Sequence, residues 1–196
     1  ASKVEGKMAI GKIDCTTHKK ICDEHKVRGF PTLKYSLDGD VFDYTGGRDE
    51  ASLISFATRM SSPAVHQISR LEQAKLFANK KADEGIIFLG SGTEGSDLYK
   101  IFSKVARKKQ ASGYFLWLEQ MVSPTDDGRD NSYVEKIEAG IIEPRAWEAK
   151  KEERTEESLE AWVQDQNVPT IAVVTRSNFS RITRNGRQLL LAVVDM

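Results

Sequence analysis

The sequence has 196 residues, 39% of them hydrophobic, and its 29 Lys and Arg residues balance 29 Asp and Glu residues. A formal charge of zero disfavours a general electrostatic attraction to nucleic acids or anionic membranes. No apolar run approaches the roughly 20 residues of a membrane helix. The first residues have neither the pattern of a secretory signal nor an initiator Met, so we expect a piece of a longer precursor.

Strand and helix signals alternate before a predicted domain boundary near Ser62. Asp38-Gly39-Asp40 predicts a tight turn between two short strands. Ser61-Ser62-Pro63 then ends a helical pattern and marks the boundary. The predicted elements in this part are a strand at 8–14, a helix at 17–26, strands at 32–36 and 41–45, and a helix that buries Leu53, Phe56, Ala57 and Met60.

The alternation starts again after the boundary, which predicts an α/β chain of tandem units. Residues 123–153 are mostly polar and charged, and they predict two short antiparallel strands with long loops. After Pro169 the order of strand, short helix and strand begins once more. The other predicted elements are strands at 65–68, 86–89 and 114–118, a helix at 71–79, a helix carrying Leu98, Ile101, Phe102 and Val105, and a helix carrying Leu159, Trp162 and Val163.

Both cysteines and two of the three histidines lie close together as Cys15-x2-His18-x3-Cys22-x2-His25. These residue types suit a zinc site, a disulfide or part of a redox centre. On one helix, His18 and His25 would have Cα atoms about 10 Å apart, whereas the donors of tetrahedral zinc lie within about 4 Å of one another. The spacing therefore favours histidines on a solvated helix, and we predict no metal site.

The stretch Gly90-Ser91-Gly92-Thr93-Glu94-Gly95 has the GxGxxG pattern of dinucleotide-binding turns, and Glu119 ends the next predicted strand. However, Glu94 would place a carboxylate beside a pyrophosphate, and too few strands follow Glu119 for a dinucleotide half-sheet. We therefore favour a flexible strand-to-helix turn and predict no cofactor. A dinucleotide-binding domain that uses Gly90 to Gly95 remains an alternative.

The first sixty residues resemble the C-terminal half of a catalytic thioredoxin domain of the protein disulfide isomerase family. The matching features, in order, are Ile13-Asp14-Cys15, the Gly29-Phe30-Pro31-Thr32 turn, the Tyr44-x-Gly46-x-Arg48 loop and the closing helix. The resemblance implies tandem thioredoxin-like domains with mixed central sheets, the first one incomplete at 1–61. Residues 62–165 would form a redox-inactive thioredoxin-like domain, and 166–196, similar to the transmembrane thioredoxin-related branch, the start of a third.

The resemblance also implies roles for individual residues. Pro31 matches the family's cis-proline, and the backbone of Phe30 would pair with an extended substrate. Arg48 matches a loop arginine whose charge favours the thiolate of a catalytic cysteine. Cys15 and Cys22 match positions that form a structural disulfide in several members. This close cysteine pair and the glycosylation sequon at Asn178 fit the oxidising lumen of the endoplasmic reticulum.

The sequence departs from the catalytic pattern because it contains no Cys-x-x-Cys. Disulfide exchange requires an accessible thiolate and usually a second cysteine that resolves the mixed disulfide. We therefore expect part of a thiol-disulfide oxidoreductase and isomerase that contacts folding, cysteine-containing polypeptides but lacks the nucleophile. The alternative is a redox-inactive, chaperone-like module that binds unfolded polypeptides. Any membrane attachment would require a segment absent from this chain.

Overall fold

The computed structural model of the chain describes residues 6, 8–81, 85–119, 132–138, 145–147, 149–150 and 153–167. The chain divides into two compact units, one ending at Ser61 and the other beginning at Ser62. The sequon at Asn178 and nearly all of the segment 166–196 lie outside the described residues. Within the described residues, none of the helices combines the length and apolar character needed to cross a membrane.

The first unit contains a β-hairpin packed with an amphipathic helix. Asp38 and Gly39 have φ angles of 54° and 94°, as a two-residue hairpin turn of type I′ requires. Phe56 of the helix receives the edges of the Tyr35 and Tyr44 rings, with centroids 5.1 and 4.8 Å away. The elements are α1 (Lys19–Glu24), β1 (Lys34–Leu37), β2 (Asp40–Asp43) and α2 (Glu50–Met60).

The predicted strand at 8–14 is wrong, because this segment has no regular secondary structure and pairs with none of the described strands. A run of apolar residues becomes a strand only where a partner completes its hydrogen bonds. The predicted helix at 17–26 is also too long at both ends. Asp14 accepts hydrogen bonds from the backbone N–H and hydroxyl of Thr16 at 2.8 and 2.7 Å, so a side-chain-capped turn replaces the first helical turn.

The second unit is built on a five-stranded mixed sheet in the order β3-β5-β4-β6-β7. β3 and β4 each run parallel to β5, β6 is antiparallel to β4, and β7 is antiparallel to β6. This sheet confirms the predicted α/β class with a mixed central sheet. The elements are β3 (His66–Ile68), α3 (Leu71–Lys80), β4 (Ile86–Gly92), α4 (Asp97–Lys109), β5 (Gly113–Glu119), β6 (Tyr133–Ile137), β7 (Arg145–Ala146) and α5 (Glu156–Gln166).

Helices cover both faces of this sheet and create two apolar clusters. Such two-sided cover explains why the parallel strands β4 and β5 are nearly continuous buried runs rather than alternating ones. On the face covered by α3, the small residues Ala74 and Ala78 allow the helix to approach the sheet closely. The cluster under α4 and α5 contains the larger side chains, among them Phe88, Phe102, Phe115, Trp117, Leu159 and Val163.

A row of ion pairs joins α4 to α5 at the surface. Lys108 Nζ lies 2.6 Å from Glu156 and 3.3 Å from Glu160, and Lys109 Nζ lies 2.9 Å from Glu160. Hydrogen bonding to Lys108 lowers the pKa of Glu156, and hydrogen bonding to Lys109 lowers the pKa of Glu160. Each of these surface ion pairs therefore contributes stability only while its own carboxylate is ionised.

We predict that the double variant Glu156→Gln/Glu160→Gln is less sensitive to acid than the parent chain. A carboxyl group with a depressed pKa stabilises the fold above its unfolded pKa, and this contribution disappears as the pH falls through the folded pKa. Urea unfolding between pH 7 and pH 3 in 20 mM salt should show a shallower loss of stability in the variant. Glu157→Gln, on an exposed residue of the same helical turn, is the control, and equal pH dependence in all three proteins would contradict the prediction.

Candidate functional site

The turn at residues 29–32 presents an exposed aromatic side chain on a fixed backbone. The Phe30–Pro31 peptide bond is cis, and 78% of the Phe30 surface is exposed. The Thr32 hydroxyl donates a hydrogen bond to the Gly29 carbonyl oxygen at 2.6 Å. Tyr44 N–H donates to the Leu33 carbonyl oxygen at 2.9 Å, so the turn leads directly into the hairpin.

Cys15 and Cys22 are joined by a disulfide, with Cα atoms 5.8 Å apart. Cys22 is buried in α1, whereas Cys15 is partly exposed in the turn that precedes the helix. Both sulfurs are used in this bond, so neither is a thiolate that could bind zinc together with His18 or His25. In the described part of the chain, the structure places no group of three or more His, Cys, Asp or Glu side chains for metal binding.

The end of α1 connects the disulfide to the exposed turn. Lys26 adopts a left-handed conformation with φ of 53°. Its N–H donates to the Asp23 carbonyl oxygen at 3.0 Å, and Val27 N–H donates to the Cys22 carbonyl oxygen at 2.9 Å. These two bonds form a Schellman motif, the usual way in which a helix ends and the chain turns away. The chain therefore enters Arg28 and Gly29 from a fixed position.

Arg48 lies in the exposed loop between β2 and α2. Tyr44 hydroxyl donates to the Gly47 carbonyl oxygen at 2.7 Å, and Asp49 caps α2 by accepting from Ser52 N–H at 2.9 Å. These contacts fix the backbone on both sides of Arg48. The Arg48 side chain itself forms no hydrogen bond or ion pair with any other described residue.

The Gly90 to Gly95 stretch ends β4 and leads into α4, and close packing explains its first two glycines. A Cβ atom at Gly90 would lie 2.5 Å from the Trp117 ring, and one at Gly92 would lie 2.9 Å from Ser132 Cβ. The neighbouring strand β6 is antiparallel, unlike the parallel half-sheet of a dinucleotide-binding domain. The motif thus serves the core of this unit. The predicted flexible turn is wrong for Gly90 to Gly92, which form the buried end of β4, and residues 93–96 connect the strand to α4. The antiparallel neighbour disfavours the dinucleotide alternative.

A polar crevice of about 430 Å³ lies beside this turn, at the carboxyl ends of the parallel strands. Gln67 Nε2 donates to Glu94 at 3.3 Å and to the Tyr99 hydroxyl at 3.2 Å across it. Glu119, at the end of β5, lines the same crevice, as do Ser69 and Gln73. The sequence indicated Glu94 and Glu119, but the glutamines carry no local signal of a site because sheet order alone brings them there.

Comparisons with known proteins agree with this architecture. The Thioredoxin family model matches residues 1–59. The probable protein disulfide-isomerase A4 of Caenorhabditis elegans is 27% identical over 97% of this chain and 31% of its own length. Protein disulfide-isomerase TMX3 of Xenopus laevis is 26% identical over 95% of this chain and 39% of its own length. Human ERp44 in crystal form II superposes with a TM-score of 0.52 at 21% identity, over 93% of this chain and 49% of that one.

The sheet order and these similarities show a thioredoxin-like fold. Over 91–97% of its length the chain is similar to protein disulfide isomerases, at 26–27% identity. It spans about a third of the length of the curated relatives that it matches.

We predict that Gly90→Ala destabilises the second unit by about 1–3 kcal/mol, the usual cost of forcing a methyl group into a packed core. The added Cβ would meet the Trp117 ring, which is itself packed against Phe102 and cannot move freely. Thermal unfolding followed by near-UV circular dichroism would measure the loss. In a Trp117→Phe background the same substitution should cost less, because the smaller ring leaves space. An undiminished cost there would contradict a steric origin.

We predict that Cys15→Ala/Cys22→Ala lowers the free energy of unfolding of the first unit by about 2.5 kcal/mol, the value for closing an eight-residue loop on the chain-entropy model. Urea unfolding without reductant would show the difference. In dithiothreitol the parent chain and the variant should have similar stability, because neither then contains the crosslink. Two free thiols in the unreduced protein, measured by mass spectrometry, would refute the disulfide.

Proposed function

We propose that the chain is part of a protein disulfide isomerase of the endoplasmic reticulum lumen, and that its first unit contacts folding, cysteine-containing polypeptides at Phe30 and Pro31. The supporting observation is the exposure of Phe30, the most exposed of the large hydrophobic side chains described. Single exposed apolar residues are common on protein surfaces. Phe30 is distinguished by its place in the turn that resembles the family's substrate-facing proline turn. An apolar substrate side chain that covers Phe30 removes apolar surface from water, and this removal favours binding.

In this proposal the exchange chemistry uses a Cys-x-x-Cys from a part of the parent protein outside these 196 residues. A thiolate must attack a disulfide sulfur, and the two cysteines of this chain are already bonded to each other. Arg48, whose guanidinium has no carboxylate partner among the described residues, is proposed to approach the resolving cysteine and favour its thiolate.

The domain arrangement is part of the same proposal. Residues 1–61 would be the C-terminal half of a catalytic thioredoxin-like domain, and 62–165 a redox-inactive one. Residues 166–196 would begin a third. Support for the boundary comes from the division of the chain at Ser61 and Ser62.

A second candidate function is a redox-inactive module that binds unfolded polypeptides without exchanging disulfides. It is favoured by one observation, namely that the chain has two cysteines and both are in one disulfide outside any Cys-x-x-Cys. A Cys-x-x-Cys in the upstream sequence of the full transcript supports the oxidoreductase. A complete thioredoxin-like domain without that motif supports the binding module.

We predict that Phe30→Ser weakens the binding of an unfolded polypeptide at least tenfold, because burial of a phenylalanine side chain contributes about 1.5–3 kcal/mol. The probe is fluorescently labelled, reduced and carboxymethylated α-lactalbumin, which stays unfolded and cannot exchange disulfides. Binding is followed by fluorescence anisotropy.

The matched control is Leu76→Ser on α3, because 68% of the Leu76 surface is exposed. This variant should bind like the parent chain. Loss of binding in Leu76→Ser with unchanged binding in Phe30→Ser would place the polypeptide on the second unit and overturn the proposed contact.

A further inference from the structure

We infer that the surface around Phe30 selects extended polypeptide segments in which an apolar residue is flanked by carboxylates. This inference rests on the proposed function and specifies the substrate class of the same turn. Its basis is the charge of the segment that carries Phe30 and the way in which that segment is held.

The segment that carries Phe30 has basic residues but no acidic ones. From His25 to Leu37 the sequence has Lys26, Arg28 and Lys34 but no acidic residue. Lys34 is neutralised by an ion pair with Asp43 across the hairpin. The Arg28 and Lys26 side chains are exposed and form no ion pair with any other residue that the structure describes. Two positive charges without an ion-pair partner in the described part of the chain therefore precede the exposed aromatic ring.

The backbone between these charges and Phe30 is held at both ends. Before Arg28, Val27 N–H donates a hydrogen bond to the Cys22 carbonyl oxygen, and Cys22 is joined to Cys15 by the disulfide. After Phe30, the Thr32 hydroxyl donates a hydrogen bond to the Gly29 carbonyl oxygen. The backbone that carries the Phe30 ring and the Arg28 guanidinium is thus already fixed before a substrate binds. Less conformational entropy of this segment is therefore lost on binding.

Distance decides which charge matters more. Arg28 is two residues from Phe30, so their Cα atoms are at most about 7 Å apart, whereas Lys26 can be as far as about 14 Å. The Debye length is about 8 Å at physiological ionic strength and about 30 Å in 10 mM salt. By backbone position, Arg28 therefore lies within one Debye length of Phe30 under both conditions, and Lys26 lies within one Debye length at least in 10 mM salt.

The test compares three acetylated and amidated nonapeptides that share a central Leu-Ser-Leu and differ only in having two Glu, two Gln or two Lys residues beside it. Binding to the complete isotope-labelled chain is measured by NMR titration in 10 mM and 500 mM salt. A single charge pair about 7 Å apart in water corresponds to roughly threefold in affinity. The Glu peptide should therefore bind at least threefold more tightly than the Gln peptide in 10 mM salt, with the Lys peptide weakest, and the differences should nearly vanish in 500 mM salt.

Arg28→Glu should remove or reverse this order, reducing affinity for the Glu peptide roughly sevenfold and leaving the Gln peptide nearly unaffected. Lys75→Glu makes the same change of net charge at an exposed residue of α3 and should preserve the order. Equal binding of the three peptides, still weakened by Phe30→Ser, would overturn the charge selection but leave the proposed function standing. A Glu preference that survives Arg28→Glu would also overturn it. No binding of any peptide or of unfolded α-lactalbumin would overturn both.

Discussion

The second unit depends on the complete burial of one strand, β4. All seven of its residues are buried, and it pairs with β5 on one side and β6 on the other. Such a strand satisfies its backbone groups only through its neighbours, so the antiparallel return of β6 is as necessary as the parallel crossover to β5. Residues of both apolar clusters come from this strand, with Phe88 facing α4 and α5, and Leu89 facing α3. The positions of the helices around the sheet follow from these two faces.

The first unit is held in a different way, by covalent and local contacts more than by a core. Its disulfide closes a short loop, its Schellman motif redirects the chain at Lys26, and its hairpin is closed by Asp38-Gly39. Each of these devices acts over a few residues. The exposed turn at Phe30 lies between them, so it is well positioned although few buried side chains surround it.

The sequence predicted those elements whose signal is local. Apolar spacing predicted the helices α2 and α4, and the buried runs at Ile86 and Tyr114 predicted β4 and β5. The prediction failed at 8–14, where exposed Ile10 and Ile13 have the composition of a strand but no hydrogen-bonding partner. A segment forms a strand only if a second strand pairs with it, and the pattern within the segment does not show whether such a partner exists.

The candidate sites likewise separate into features that local sequence predicts and features that depend on distant residues. The residue types around Cys15 suited both a disulfide and a metal site, because cysteine serves both. The spacing of the histidines argued against the metal, and the family resemblance was needed to favour the crosslink. The GxGxxG stretch was ambiguous for a similar reason. Its meaning depends on Trp117, which is distant in sequence and packs directly against Gly90. Motifs describe neighbours along the chain, whereas close packing is a relation between distant segments.

The place of α5 has a consequence for the order in which the second unit is made. Leu159 and Val163 are buried members of the cluster that also contains Phe88, Phe102 and Phe115, and Trp162 packs edge-on against Phe88. On the ribosome, β4, α4 and β5, which carry these three rings, emerge first, and the helix that covers part of them follows some forty residues after β5. Until α5 has been synthesised, the nascent chain displays aromatic surface that its finished form hides. Transient exposure of this kind makes nascent chains aggregation-prone and explains their need for chaperones.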